Sequence, residues 1–172
     1  MHKMTVRMTK ETLFDFLLYH AYSKFSGFLS NILGFAIIFM GVFSYVTGRT
    51  GAFGVAFYLV AAVIFIGFTP VQLKLRAKKQ VEINPEYKNP VEYTFSEEEG
   101  ITAQWEGGSR HMDWKDMERA VVAPKTIGVY YGKEEAFILP KQDFGDEFLP
   151  IYQMIVRHLA ENSNAQEEKK EL

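Results

Sequence analysis

Two long runs without a charged residue decide what this chain can fold into. Residues 25–48 contain no Asp, Glu, Lys or Arg, and neither do residues 50–73. The first reads FSGFLSNILGFAIIFMGVFSYVTG and the second TGAFGVAFYLVAAVIFIGFTPVQL. Each is longer than the roughly 20 apolar residues that cross a hydrocarbon core about 30 Å thick. A buried soluble helix pair is a poor rival to two such runs side by side. A cleaved signal peptide fits no better, because a 24-residue amphipathic leader comes first and a second apolar run follows at once. Spans at about 27–47 and 51–73 are therefore predicted, within a hairpin over 25–73. Only Arg49 separates them, with Gly48 and Gly51 around it, which predicts a tight turn.

Charge sets the orientation. Lys3, Arg7, Lys10 and Lys24 precede the first run, and Lys74, Arg76, Lys78 and Lys79 follow the second. Cations gather on the cytoplasmic side of spans, so both termini are expected there and the turn outside. The same four juxtamembrane cations suit contact with anionic lipid. The two parts of the chain also oppose each other in charge. Residues 1–79 carry 9 Lys and Arg against 2 Asp and Glu, a net of +7; residues 80–172 carry 10 against 19, a net of −9.

The runs hold no Asp, Glu, Lys, Arg or His, which argues against a proton or ion pathway. Asn31, Ser26, Ser30 and Ser44 are the main polar residues of the first, and hydrogen bonding between helices is the simplest use for them. Ser30, Gly34 and Gly41 fall near one helical face, as do Gly54 and Ala61 on the second helix. The hairpin is expected to pack through these small faces, with self-association through another face left open. Pro70 sits near the end of the second run and reads as a kink.

The leader, residues 1–24, begins with a stretch that alternates in places over 4–9 and suits a short strand. A helix follows, with Thr9 as N-cap and Glu11 and Asp15 toward its positive end. Leu13, Phe14, Leu17 and Leu18 recur at helical spacing. Two placements suit this helix: on the membrane surface, or against a soluble domain.

From about residue 80 the period changes to two. Val91, Tyr93 and Phe95 share a face, as do Ile101, Ala103 and Trp105, and then Met112 and Trp114. Further strands are predicted at 118–123, 126–131 and 136–139, with Gly132 and its charged neighbours between the last two. Phe148, Ile151, Tyr152, Ile155 and Leu159 then return to helical spacing, with the helix start placed near Asp146 by Pro150. The expected domain, residues 80–160, is a curved antiparallel sheet closed by one C-terminal helix. The polar residues 161–172 are expected to be disordered.

Candidate chemistry is sparse. Ser109, His111 and Asp113 alternate and so share one strand face, but that face lies opposite Met112 and Trp114 and reads as solvent. Glu97, Glu98 and Glu99 precede Gly100 as a hairpin tip and lack the ligand spacing of a calcium loop. The four histidines show no metal spacing. No cysteine is present, which excludes a disulfide scaffold and a thiolate site. No enzyme activity, cofactor or metal is expected. Nucleic acid and anionic headgroups are poor partners for a domain of net charge −9.

The order of these pieces resembles the YcxB-like family of small bacterial membrane proteins. The match rests on the leader helix, the two-span hairpin, and Tyr93-Thr94-Phe95, Glu98-Glu99-Gly100-Ile101, Met112-Asp113-Trp114 and Ile138-Leu139-Pro140-Lys141 with Phe144. The resemblance implies a pleckstrin-homology-like fold in the cytoplasmic domain, giving an α+β membrane protein. It implies location in the bacterial cell membrane. It implies structural roles for Tyr93, Phe95, Gly100, Ile101, Trp114, Pro140 and Lys141, and no catalytic residue. The expected function is a non-enzymatic protein-interaction module anchored at the cytoplasmic face. The alternatives are an accessory subunit held through the hairpin, or an enzyme acting on membrane substrates.

Overall fold

A computed structural model describes residues 1–23, 25–131 and 135–168. Lys24, Gly132 and residues 169–172 of the expected tail lie outside the described residues. The chain divides into two compact units, Met1–Phe16 with Lys78–Leu172, and Leu17–Ala77. The first unit is thus built from both sides of the second.

In the first unit, strand β1 (His2–Val6) pairs antiparallel with β2 (Val91–Ser96), in a register that sets Val6 against Val91 and Met4 against Tyr93. Strands β3 (Gly100–Trp105) and β4 (Gly108–Met112) extend this to a four-stranded sheet in the order β1-β2-β3-β4. Met4, Val6, Val91, Tyr93, Phe95, Ile101, Ala103 and Met112 are buried, which is the alternation of a sheet with one covered face. The short N-terminal strand therefore belongs to the sheet. His2 Nδ1 lies 2.5 Å from Glu147 Oε2, and Asp143 Oδ2 accepts from the Arg7 amide at 2.9 Å, so β1 is also fastened to the segment before the last helix.

A second sheet, β5-β6-β7, comprises Arg119–Val122, Thr126–Tyr130 and Ala136–Pro140. The expected single curved sheet is thus two sheets. Asp113 follows β4 as the cap of a 3-10 turn over Trp114–Asp116, which separates β4 from β5, so the two strands do not form a ladder. Trp114 leaves the strand pattern there but stays buried, its Nε1 donating to the Ser96 carbonyl at 2.7 Å.

All five residues of β6 are buried, because both its faces are covered. Helix α1 (Lys10–Ser23) covers one of them. The ring of Phe16 lies where a Cβ on Gly128 would stand, and 6.0 Å from the ring of Tyr130. Asp15 Oδ2 accepts from the Lys125 amide at 2.9 Å and from Thr126 Oγ1 at 3.3 Å, capping the β5–β6 turn. Thr9 and Thr12 exchange reciprocal side-chain to backbone bonds of 3.1 Å at the start of α1. Of the two placements open to the leader helix, its first half takes the one against the domain. The buried residues are Thr12, Leu13 and Phe16, so of the expected Leu13, Phe14, Leu17 and Leu18 only Leu13 is buried, and the covered face is turned toward Thr12 and Phe16. Gly128→Val is expected to expel Phe16 and cost about 1–3 kcal/mol of domain stability, as overpacking usually does; denaturant unfolding checks it.

The domain's last helix, α5 (Phe148–Glu168), buries Ile151, Met154 and Ile155. A 3-10 turn over Gly145–Glu147 occupies the first residues of the expected helix. At its other end the disorder expected from residue 161 is overturned, since α5 continues through residues 161–168. Asn162 is the physical reason: its Nδ2 donates to the Trp114 carbonyl at 2.6 Å and to the Met117 carbonyl at 3.0 Å.

The second unit holds α2 (Phe25–Val46) and most of α3 (Ala52–Ile83). Both helices are long and apolar enough to cross a membrane. Gly48, at φ 70°, turns the chain after α2, and the Arg49 amide returns to the Ser44 carbonyl at 2.9 Å. Helix α3 runs ten residues past the predicted span, because KLRAKKQVEI consists largely of good helix formers. Pro85 then stops it. Asn84 caps a further short helix, α4 (Pro85–Lys88), by accepting from the Glu86 amide at 3.0 Å. The strand pattern therefore begins at Val91.

Candidate functional site

The domain carries three polar groupings that chemistry could use, and a hairpin seam. The most enclosed grouping was not legible in the sequence. Glu86, on α4, is only 6% exposed. Arg110 of β4 lies beside it, Nη2 to Oε2 at 3.3 Å, and its Nη1 donates to the Tyr131 hydroxyl at 2.8 Å. Burial raises the Glu86 pKa and Arg110 opposes that rise. Burial likewise pushes the neighbouring Tyr87 up to about 12, with the Glu86 charge adding to it. This is a buried acid whose one ion-pair contact among the described residues is a half-exposed cation. Such an arrangement joins α4 to both sheets, and no run of adjacent residues announces it, since Arg110 and Tyr131 are 21 positions apart.

The sign of its pH dependence follows. A carboxyl group whose pKa is raised in the folded state binds more protons there than in the unfolded chain, so stability falls as pH rises above its ordinary value of 4.5. Glu86→Gln is expected to remove that part of the slope. Urea midpoints at about pH 5 and about pH 7.5 measure it, the variant gaining on the native chain at the higher pH.

The second grouping lies under α5. The Trp114 and His158 rings stack at 4.4 Å, 9° from parallel. His158 Nδ1 is 3.1 Å from Glu161 Oε2. Its Nε2 is buried without an aligned hydrogen bond, with Glu97 Oε2 3.4 Å away. Arg157 pairs with the same Glu97 and holds that carboxyl below its ordinary range. One member of the expected acidic hairpin tip therefore anchors α5, and Trp114 packs under the helix through its stack with His158.

The third is the alternating set on β4. His111 Nε2 lies 2.9 Å from Asp113 Oδ1, and His111 Nδ1 lies 2.9 Å from Thr102 Oγ1 across the sheet. Ser109 is not the hydroxyl that meets the histidine; Thr102 is, because the register puts Thr102 directly opposite His111. Asp113 is also held by Lys115 at 2.7 Å, and these hydrogen bonds lower its pKa, that of Lys115 first. His111 and Asp113 are substantially exposed, 47% and 41% at the side chain, so the group forms a surface network on an open sheet face. Among the described residues no cluster of three His, Asp or Glu side chains could hold a metal ion.

The residues singled out from motif order stand mostly in the core. Tyr93, Phe95 and Ile101 are buried, and burial raises the Tyr93 hydroxyl pKa. Gly100 adopts φ 106° and packs against the Met112 carbonyl. Pro140 ends β7 opposite Thr126, and the Lys141 amide donates to the Lys125 carbonyl at 2.8 Å. The domain segment that holds most of these residues also answers to a known family. Residues 97–150 match the family model described as YcxB-like protein. This is the family whose motif order the sequence resembles, and its function is uncharacterised. The YcxB-like segment runs from the hairpin tip at Glu97 into the first turn of α5 and so takes in Gly100, Trp114, Pro140 and Lys141. Tyr93, Phe95 and the two apolar helices lie outside it. No curated protein and no solved structure matches the chain.

In the hairpin, Gly34 and Gly41 are buried and Ser30 is half-buried. A Cβ on Gly34 would meet the Ile66 side chain, and one on Gly41 would stand 2.7 Å from the Tyr58 Cβ. The α2 side of the seam is thus made of small residues, while α3 fills it with large ones. Gly54 lies against Thr50 within the turn, and Ala62, beside the half-buried Ala61, is a buried alanine of α3. Lys74, Arg76, Lys78 and Lys79 are all exposed along α3.

Proposed function

We propose that this protein is a membrane-anchored, non-enzymatic interaction module, with its domain at the cytoplasmic face of a bacterial cell membrane. The observation that carries this is the placement of the apolar hairpin between two paired strands. The chain leaves the domain after β1 and returns to it before β2, so one folded unit flanks both ends of the hairpin. Phe28, Phe35, Phe39, Phe43, Phe57 and Phe68 are exposed along it, which suits lipid as solvent. The cations at 74, 76, 78 and 79 favour the cytoplasm for the domain side.

A pleckstrin-homology-like reading is supported by the four-stranded and three-stranded antiparallel sheets followed by a C-terminal helix. A protein partner suits its surface better than nucleic acid or an anionic headgroup, given the net charge of −9 beyond residue 79. Leu149 and Val156, seven apart on α5, are 59% and 44% exposed, and offer an apolar docking face. The His111–Asp113 network is a solvated surface feature in this reading. In-cell crosslinking of the full chain with mass spectrometry tests it. A partner held by the native chain and lost in Leu149→Glu/Val156→Glu supports the module. The same partner held by both, and lost in Gly34→Leu, supports the accessory subunit instead.

A further inference from the structure

Asn31 is the one carboxamide in the first apolar run; Gln72, in the second, is exposed and stands two residues from Lys74, at the edge of that run. Asn31 is half-buried on α2, and among the described residues it has no hydrogen-bond partner. Its depth follows from the seam. Gly41 meets Tyr58 and Gly34 meets Ile66, so antiparallel packing sets Asn31 level with about residue 69 of α3. The first cation beyond the run, Lys74, is five residues further, about 7.5 Å at 1.5 Å per residue. The amide thus sits more than a helical turn inside the level where charge begins. Two N–H donors and a carbonyl there favour any partner that satisfies them, since hydrocarbon offers none.

We propose that two copies of this chain associate through α2, their Asn31 carboxamides hydrogen-bonded to each other across a two-fold axis. The proposal rests on the reading that the hairpin spans a bilayer. A carboxamide both donates and accepts, so it is complementary to itself, as an isologous contact requires. Identical chains inserted in the same orientation bring Asn31 to the same depth without further adjustment. The face is available as well. Asn31, Phe35, Ile38 and Val42 fall within about 60° of one another on a helix of 3.6 residues per turn. Phe35 and Val42 are exposed, whereas Gly34 and Gly41, on the adjoining face, are already taken by α3.

The absence of native cysteine makes the test direct. The full chain carrying Gly51→Cys is labelled with donor or acceptor dye and reconstituted into phosphatidylcholine vesicles over a series of protein-to-lipid ratios. Energy transfer above the random-mixing level, reversed by unlabelled chain, is expected. Asn31→Leu should weaken association about tenfold, while Asn31→Gln, which keeps the amide, should stay within about threefold. No transfer at any ratio, or an unchanged response in Asn31→Leu, would overturn the proposal. Flotation of each sample with its vesicles separates the two readings. A chain that fails to float removes the membrane reading and this proposal together; one that floats without transfer removes this proposal alone.

Discussion

Deleting residues 2–7 is expected to unfold the domain while leaving the two apolar helices intact. These few residues form an edge strand, and edge strands are often dispensable. This one is not, for three reasons. Met4 and Val6 are 5% and 1% exposed, and burying each contributes about 1.5–3 kcal/mol. Their removal exposes Val91, Tyr93 and Phe95 on the strand beside them. It also frees Glu147 and Asp143, which hold the approach to α5 through His2 and the Arg7 amide. Together these losses rival the whole stability of an ordinary domain, about 5–15 kcal/mol. Hydrogen exchange on the truncated chain checks the outcome. The amides of β2 and β3 should lose protection, and those of α2 should keep it. Val6→Asp is the point-substitution version, with an expected loss of about 3–5 kcal/mol from an unpaired buried charge.

Gly100→Ala should have the next largest effect. Gly100 opens β3 at φ 106°, a conformation that L side chains rarely adopt, and the added Cβ would collide with the Met112 carbonyl in β4. The strain alone costs about 1–3 kcal/mol. The collision is with backbone, which no rotamer change relieves, so about 3 kcal/mol or more is expected in all. Gly107→Ala is the matched control. Gly107 also has positive φ, 93°, yet nothing lies within 4 Å of its Cβ position. It should lose only the conformational part. Thermal unfolding of the pair separates strain from collision.

These two glycines show what was legible in the sequence. Gly107-Gly108 announces a turn by composition, and the turn is there. The collision at Gly100 depends on Met112, twelve residues away across the β3–β4 hairpin, and no local pattern encodes it. The same division runs through the chain. Alternation placed Tyr93, Phe95, Ile101 and Met112 on the buried face, since period two needs only neighbours. It also gave the solvent face of Ser109, His111 and Asp113, but the histidine's hydroxyl partner comes from the register with β3. Helical spacing found α5, while its true end depends on Asn162 reaching the Trp114 and Met117 carbonyls. Helical spacing found Leu13 of the leader helix but missed Phe16, which is buried by a hole at Gly128, over a hundred residues on. Glu86 sat in a stretch without period, where a buried acid leaves no signature. For the hairpin, small residues predicted the α2 side of the seam, but not that Tyr58 and Ile66 would fill it.

The domain and hairpin form one device only if the chain leaves and re-enters the domain on the same side of a bilayer. Single cysteines at Lys3, Arg49 and Ser109, added one at a time to the cysteine-free chain, test this in intact cells with a membrane-impermeant maleimide. Arg49→Cys should label before permeabilisation. Lys3→Cys and Ser109→Cys should label only after it, in membranes that keep the protein through an alkaline wash. Labelling of Lys3→Cys and Ser109→Cys from opposite sides, or release of the protein by the wash, would contradict the account.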